Sequence, residues 1–152
     1  MTIAIGSDHG GFRLKQEIIA FFKEQSIAFH DFGTYSTDSV DYPCISQAVA
    51  NAVVAGDCER GIIICGTGIG VSIAANKVKG IRAALCHDVF SAQMSREHND
   101  ANILTMGERV IGPGLALAIV QKWLTSEFAG GRHANRVKLI SEMEKDNVLL
   151  SR

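Results

Sequence analysis

Residues 60–76 read RGIIICGTGIGVSIAAN. Residues 61–65, "GIIIC", form a short β-branched run that is apolar throughout, the pattern of a central strand buried on both faces of a parallel sheet. Glycines follow at 66, 68 and 70, and a helix is expected from about 69 to 77. Strand, glycine turn and helix make the repeating half of a βαβ unit, and the alternation continues in both directions. Upstream, "TIAIG" (2–6) and "IAFHDFG" (27–33) read as strands. Residues 11–25 place Phe12, Leu14, Ile18, Ile19, Phe21 and Phe22 near helical spacing, and residues 42–56 open on Pro43 and close on glycine. Downstream, "GIRAALC" (80–86) and "NILTMG" (102–107) read as strands, with helices over 90–98, 114–128 and 132–146. This order predicts a three-layer α/β/α, Rossmann-like domain: a five-stranded parallel sheet with helices on both faces. No repeat, low-complexity tract or linker interrupts it, so residues 1–152 read as a single domain.

Composition narrows the function. A chain of 152 residues buries a sizeable core, and 47% hydrophobic against 20% charged residues describes an ordinary globular protein. Fifteen basic and 16 acidic residues leave a net charge of -1, so no broad attraction to nucleic acid or an anionic membrane is expected. No apolar stretch approaches the roughly 20 residues of a membrane span. The opening "MTIAIGSDHGG" reads as a strand and turn rather than a leader. Cysteines at 44, 58, 65 and 86 form no C-x-x-C pair, and free thiols in a reducing cytoplasm fit them better than a disulfide framework. The His, Cys and Asp residues lack zinc-type spacing, so no metal is expected.

In open α/β sheets, ligands sit beyond the carboxyl ends of the strands. Those ends carry "GSDHGG", "HDFGTYS", "CGTGIG", "CHDVF" and "MGERV". In "CGTGIG", glycines at alternate positions let the backbone approach a ligand, and successive N–H groups leading into a helix make an anion nest. They also fit a tight turn with no ligand. A dinucleotide fingerprint requires G-x-G-x-x-G and an acidic residue about 20 positions on. Asp88 stands at a suitable distance, but Val71 occupies the place of the third glycine, and there is no Gly-Lys-Ser/Thr of a P-loop. Cys65 ends the strand beside the nest and a helix N-terminus, both of which stabilise a thiolate. Alone, an apolar-flanked cysteine reads as inert core. Beside this loop it reads as a base whose neighbouring N–H groups can hold a developing oxyanion, as proton abstraction next to a carbonyl requires.

Other candidates carry two readings each. Arg132 and Arg136 are four apart on one helix face, with His133 nearby, either a fork for a phosphate dianion or a solvated cationic helix end. His98 follows a helix whose C-terminal dipole favours imidazolium, which suits a proton donor or a surface histidine. Asp8 and His9 follow the first strand, where aspartate and glycine also serve turns.

Six motifs, in order over nearly the whole chain, carry a resemblance: "SDHGG" (7–11), "DYP" (41–43), "CGTGIGVSIAANK" (65–77), "SREHNDANIL" (95–104), "GERVIG" (107–112) and "GGRHANRV" (130–137). Together they resemble the ribose-5-phosphate isomerase B family, which includes allose-6-phosphate isomerases and is related to galactose-6-phosphate isomerase subunits. The resemblance implies an aldose–ketose isomerase working through a cis-enediolate without metal or cofactor. It implies that Cys65 moves the proton between C1 and C2, that the backbone of Gly66, Thr67, Gly68, Ile69 and Gly70 holds the enediolate oxygens, and that Thr67 positions the reacting end. It implies further that His98 opens the furanose, that Asp8 and His9 bind sugar hydroxyls or phosphate, and that Asn99 binds substrate. Tyr42 would line the pocket, and Arg109, Arg132 and Arg136 would hold the phosphate. Some members replace the cysteine with a glutamate directly after the third glycine. Val71 stands there, so this chain resembles the cysteine-base branch.

The helix before His98 should return the chain to the amino edge of the sheet, whereas Cys65 sits at the carboxyl edge. If both act on one sugar, a second subunit supplies His98, and the C-terminal arginines follow the same logic. The resemblance implies likewise a homodimer, or a dimer of dimers, with shared sites and the helix over about 132–146 at the interface. A six-carbon substrate (allose or galactose 6-phosphate) and a non-catalytic sugar-phosphate or nucleotide-binding module stay open as alternatives.

Overall fold

The structure, a computed structural model, describes residues 1–149; residues 150–152 of the expected 1–152 domain lie outside it. Five strands, β1 (Thr2–Ser7), β2 (Ala28–Asp31), β3 (Arg60–Cys65), β4 (Ala83–Leu85) and β5 (Ile103–Gly107), alternate with α1 (Phe12–Glu24), α2 (Tyr42–Ala55), α3 (Ile69–Ala75) and α4 (Val89–Glu97), followed by α5 (Pro113–Thr125) and α6 (Arg132–Leu149). All pairings are parallel, in the order β2-β1-β3-β5-β4. The five-stranded parallel sheet expected from the sequence is present.

Alternation along β3 divides the core. Ile62 and Ile64 join Ile3, Ile5 and Leu104 under α1, α4 and α5, while Ile63 and Cys65 join Ala4 and Ile103 under α2 and α3. Helices therefore cover both faces, the three-layer arrangement that a parallel sheet requires. From β1 the chain goes outward to β2, then returns to β3 on the other side of β1. The switch point lies between the carboxyl ends of β1 and β3, where a crevice forms. Ser7 is level with Ile64, so Asp8 and Cys65 leave the sheet side by side.

Two strands are shorter than the periodicity suggests. β4 spans three residues rather than 80–86, because Gly80 turns at φ 87° and the Arg82 N–H is taken by the Asn102 side chain at 2.8 Å. β2 ends at Asp31, whose carboxylate accepts from Gly33 N–H (2.9 Å) and Lys15 Nζ (2.6 Å), turning the chain into the loop that precedes α2. α6 is peripheral: Leu139, Ile140 and Met143 are 50%, 42% and 63% exposed. Among the described residues no helix is long and apolar enough to cross a membrane.

Candidate active site

The crevice is built from the ends of β1 and β3. Asp8 Oδ1 accepts from the N–H groups of Gly10 (2.8 Å) and Gly11 (3.1 Å), so the carboxylate caps the turn entering α1. His9 Nδ1 accepts from Val40 N–H at 3.3 Å, which puts the proton of the neutral ring on Nε2. Val40 belongs to the loop fastened at its start by Lys15, fully buried, whose ammonium lies 2.6 Å from both Asp31 Oδ1 and Thr34 O.

Cys65 closes β3 with its sulfur 3.0 Å from Gly68 N–H. Gly68 has φ 77°, and a Cβ there would lie 2.5 Å from Leu85 Cδ1 and 2.7 Å from the Met106 backbone. Only glycine turns the chain here while aiming its N–H at the sulfur. That N–H thus serves the thiol, and Ile69 N–H is engaged by Thr67 Oγ1 at 3.3 Å. The N–H groups of Gly70 and Val71 lie in the first turn of α3, where no intrahelical acceptor exists. A Cβ at Gly70 would lie 2.7 Å from Tyr42 Cζ, so the half-exposed Tyr42 ring closes over the start of α3. Arg109 N–H donates to Gly66 O (3.0 Å), and its exposed side chain passes close over Gly66.

His98, Asn99, Arg132 and Arg136 form a second group at the other edge. Asn99 O accepts from Arg82 Nε at 3.0 Å, and Arg82 precedes β4. Ala83, Gly61 and Ile103 are level at the amino ends of their strands, whereas Cys65 is level with Gly107 at the carboxyl ends. Four residues of strand, about 13 Å, separate those levels. One protomer therefore brings Asp8, His9, Tyr42, Cys65, Gly66, Thr67, Gly68, Ile69, Gly70 and Arg109 to one edge and leaves His98, Asn99, Arg132 and Arg136 at the opposite one.

Three contacts escape the sequence reading. His133 stacks on His98 at 4.1 Å and 8° between ring planes. Desolvation, then the charges of His98, Arg132 and Arg136, push the His133 imidazole below its usual range. His87 Nε2 accepts from Gly107 N–H at 3.1 Å. Asp100 is gripped by two arginines, Arg82 at 3.1 Å and Arg96 at 2.8 Å. The adjacency of Arg132 and His133 is the one signal for the first, and the four-residue spacing of Arg96 and Asp100 a signal for part of the third; the His87–Gly107 and Arg82–Asp100 contacts join segments about 20 residues apart. Among the described residues no three of His, Cys, Asp and Glu gather closely enough to hold a metal ion.

A hydrogen-bonded thiol in the switch-point crevice of a parallel sheet, with arginines near both edges, defines a small-molecule enzyme of the α/β class. The chain belongs to the ribose/galactose isomerase family, whose model matches residues 3–140. It is 50% identical over 147 residues to ribose-5-P isomerase B of Listeria innocua, covering 97% of this chain and 99% of that one. It is 50% identical over 143 residues to ribose-5-phosphate isomerase B of Escherichia coli, covering 94% and 96%. The solved structure of ribose-5-phosphate isomerase B from Clostridium thermocellum superposes with a TM-score of 0.96 at 60% identity, covering 97% and 99%.

Proposed function

We propose that the protein is an aldose–ketose isomerase that interconverts ribose 5-phosphate and ribulose 5-phosphate by ring opening and proton transfer through a cis-enediolate. The observation that carries this reading is the Cys65 sulfur, held 3.0 Å from Gly68 N–H at the switch-point crevice. The backbone N–H donates to the sulfur and fixes its position at the carboxyl end of β3. In this role Cys65 takes the proton from the carbon next to the carbonyl and returns it to the adjacent carbon. Two carbons of one molecule exchange oxidation level, so no external electron carrier is required. The backbone from Gly66 to Gly70, with the open N–H groups at the start of α3, faces the charge that develops on the enediolate oxygens. Thr67 positions the reacting end, and Tyr42 lines the pocket. Asp8 and His9 bind hydroxyls or phosphate, with the Nε2 proton of His9 as donor.

The remaining roles fall to the amino-edge group. His98 protonates the ring oxygen, Asn99 binds substrate, and Arg132 and Arg136 join Arg109 on the phosphate. Because Cys65 and His98 stand at opposite edges, a functional site takes Cys65 from one protomer and His98 from another. The unit is then a homodimer, or a dimer of dimers, of single-domain chains. The exposed Leu139, Ile140 and Met143 on α6 support that helix as part of the interface. Four free thiols support a reducing, cytoplasmic setting.

A six-carbon substrate is the second reading, favoured by the galactose isomerases within the matched family. A turnover panel of ribose 5-, allose 6- and galactose 6-phosphate decides between them. The control is Cys65→Ala, which should lower kcat by about 10²–10⁴-fold. It should also abolish exchange of the C2 hydrogen of ribose 5-phosphate in heavy water. Binding without exchange in the unaltered protein would leave a non-catalytic sugar-phosphate module instead.

A further inference from the structure

We infer that Arg82, Asp100 and Arg96 form a clasp that positions His98 for ring opening; this rests on His98 being the ring-opening acid. α4 ends at Glu97 and β5 begins at Ile103, so the chain reverses within five residues. Asp100 makes the turn at φ 45°, a left-handed conformation uncommon outside glycine. Its carboxylate is held at both oxygens, Oδ1 by Arg96 Nη1 at 2.8 Å and Oδ2 by Arg82 Nη2 at 3.1 Å. The same guanidinium groups hold the main chain. Arg82 Nε donates to Asn99 O (3.0 Å) and Asp100 O (3.1 Å), Arg82 Nη2 to Asp100 O (2.8 Å), and Arg96 Nη1 to Ala101 O (2.6 Å).

Both arginines are anchored elsewhere. Arg82 enters β4 with its own N–H on Asn102 Oδ1, and Arg96 is 6% exposed with its guanidinium carbon 5.8 Å from the Trp123 ring. Arg96 Nε is buried without a hydrogen-bond partner, so the hydrogen bonds of its head run through Nη1. The clasp grips the backbone on the far side of His98 and Asn99. Among the described residues neither the His98 ring nor the Asn99 side chain takes a hydrogen bond. His98 is steadied otherwise by the His133 stack. A turn built this way fixes the path of the chain and leaves two polar side chains free to meet a ligand. Arg82, Asp100 and Arg96 are positioning residues: they act through His98 and touch no substrate.

The chemistry of the two sugars separates this role from a purely structural one. Ribose 5-phosphate closes through O4 into a furanose. On opening, the C1–O4 bond breaks, O4 receives a proton from His98, and the anomeric hydroxyl releases its proton to water as the aldehyde forms. Ribulose 5-phosphate carries phosphate on O5 and cannot close a five-membered ring. Exchange of its C1 hydrogen with solvent needs Cys65 and not His98.

Asp100→Asn keeps the shape and the tolerance for positive φ but removes the charge that both arginines hold. It should lower kcat for ribose 5-phosphate by about 10- to 100-fold, the scale of a displacement near 1 Å. Exchange at C1 of ribulose 5-phosphate in heavy water, followed by NMR, should stay within about threefold of the unaltered protein on the same reasoning. Equal loss of both rates, or unchanged turnover of ribose 5-phosphate, overturns the clasp. His98→Asn is the control on the underlying reading: it should lose turnover and keep exchange. If it loses both or neither, His98 is not the ring-opening acid, whatever Asp100→Asn does. Should Asp100→Asn fail to fold, Arg82→Lys, which keeps the charge and loses the fork, is judged by the same ratio of rates.

Discussion

Lys15 and Cys65 illustrate how little separates a structural from a functional residue here. Lys15 sits in α1 with no exposed surface, and its ammonium is neutralised by Asp31 at 2.6 Å and flanked by the rings of Tyr35 and Phe12 at 5.2 and 5.7 Å. Removing the carboxylate strands a charge that cannot reach water. Asp31→Ala should therefore cost roughly 3–5 kcal/mol of unfolding free energy in a urea titration. A loss under about 1 kcal/mol would mean that Thr34 O alone satisfies the ammonium. The periodicity of 11–25 located the helix, but nothing in it marked Lys15, which lies on the apolar side of α1 because Asp31 waits there. Cys65 was legible for the opposite reason. Its chemistry is local: a sulfur at a strand end and glycines that aim an N–H at it.

At the scale of elements, the seam between β4 and α4 holds Cys86, one of three buried thiols. Burial pushes Cys86 up to about 11, against a lowering hydrogen bond from Ser95. A thiol whose folded value lies above its unfolded one, near 9, stabilises the fold fully below pH 9 and loses that contribution as pH rises through 11. The full effect is on the order of 3 kcal/mol. The alkaline limb of unfolding free energy against pH should flatten in Cys86→Ala relative to the unaltered protein; parallel limbs would show that Cys86 ionises equally in both states. The same region explains why β4 reads longer in sequence than it is. Its amino end is given over to Asn102 and to the Arg82 contacts with Asn99 and Asp100. An apolar run states that a segment can pair, not which neighbour takes its hydrogen bonds.

For the whole molecule, the separation of Cys65 from His98 makes a quantitative statement about assembly. Mixing Cys65→Ala with His98→Asn chains gives mixed dimers with one doubly altered site and one intact site. Random exchange should restore about a quarter of full specific activity from two inactive parents. No recovery after verified subunit exchange would place both groups in one protomer's site. The sequence by itself determined the order of strands and helices, the glycine loop, the edge on which each motif falls and the family. These rest on apolar period, on backbone freedom at glycine and on the rule that each crossover helix returns the chain to the amino edge. The tertiary structure alone decided the sheet order β2-β1-β3-β5-β4, the His98–His133 stack and the grip of Arg82 on Asp100. Each joins parts of the chain far apart in sequence, and strands of near-equal hydrophobicity leave the choice of neighbour to the packing of the whole.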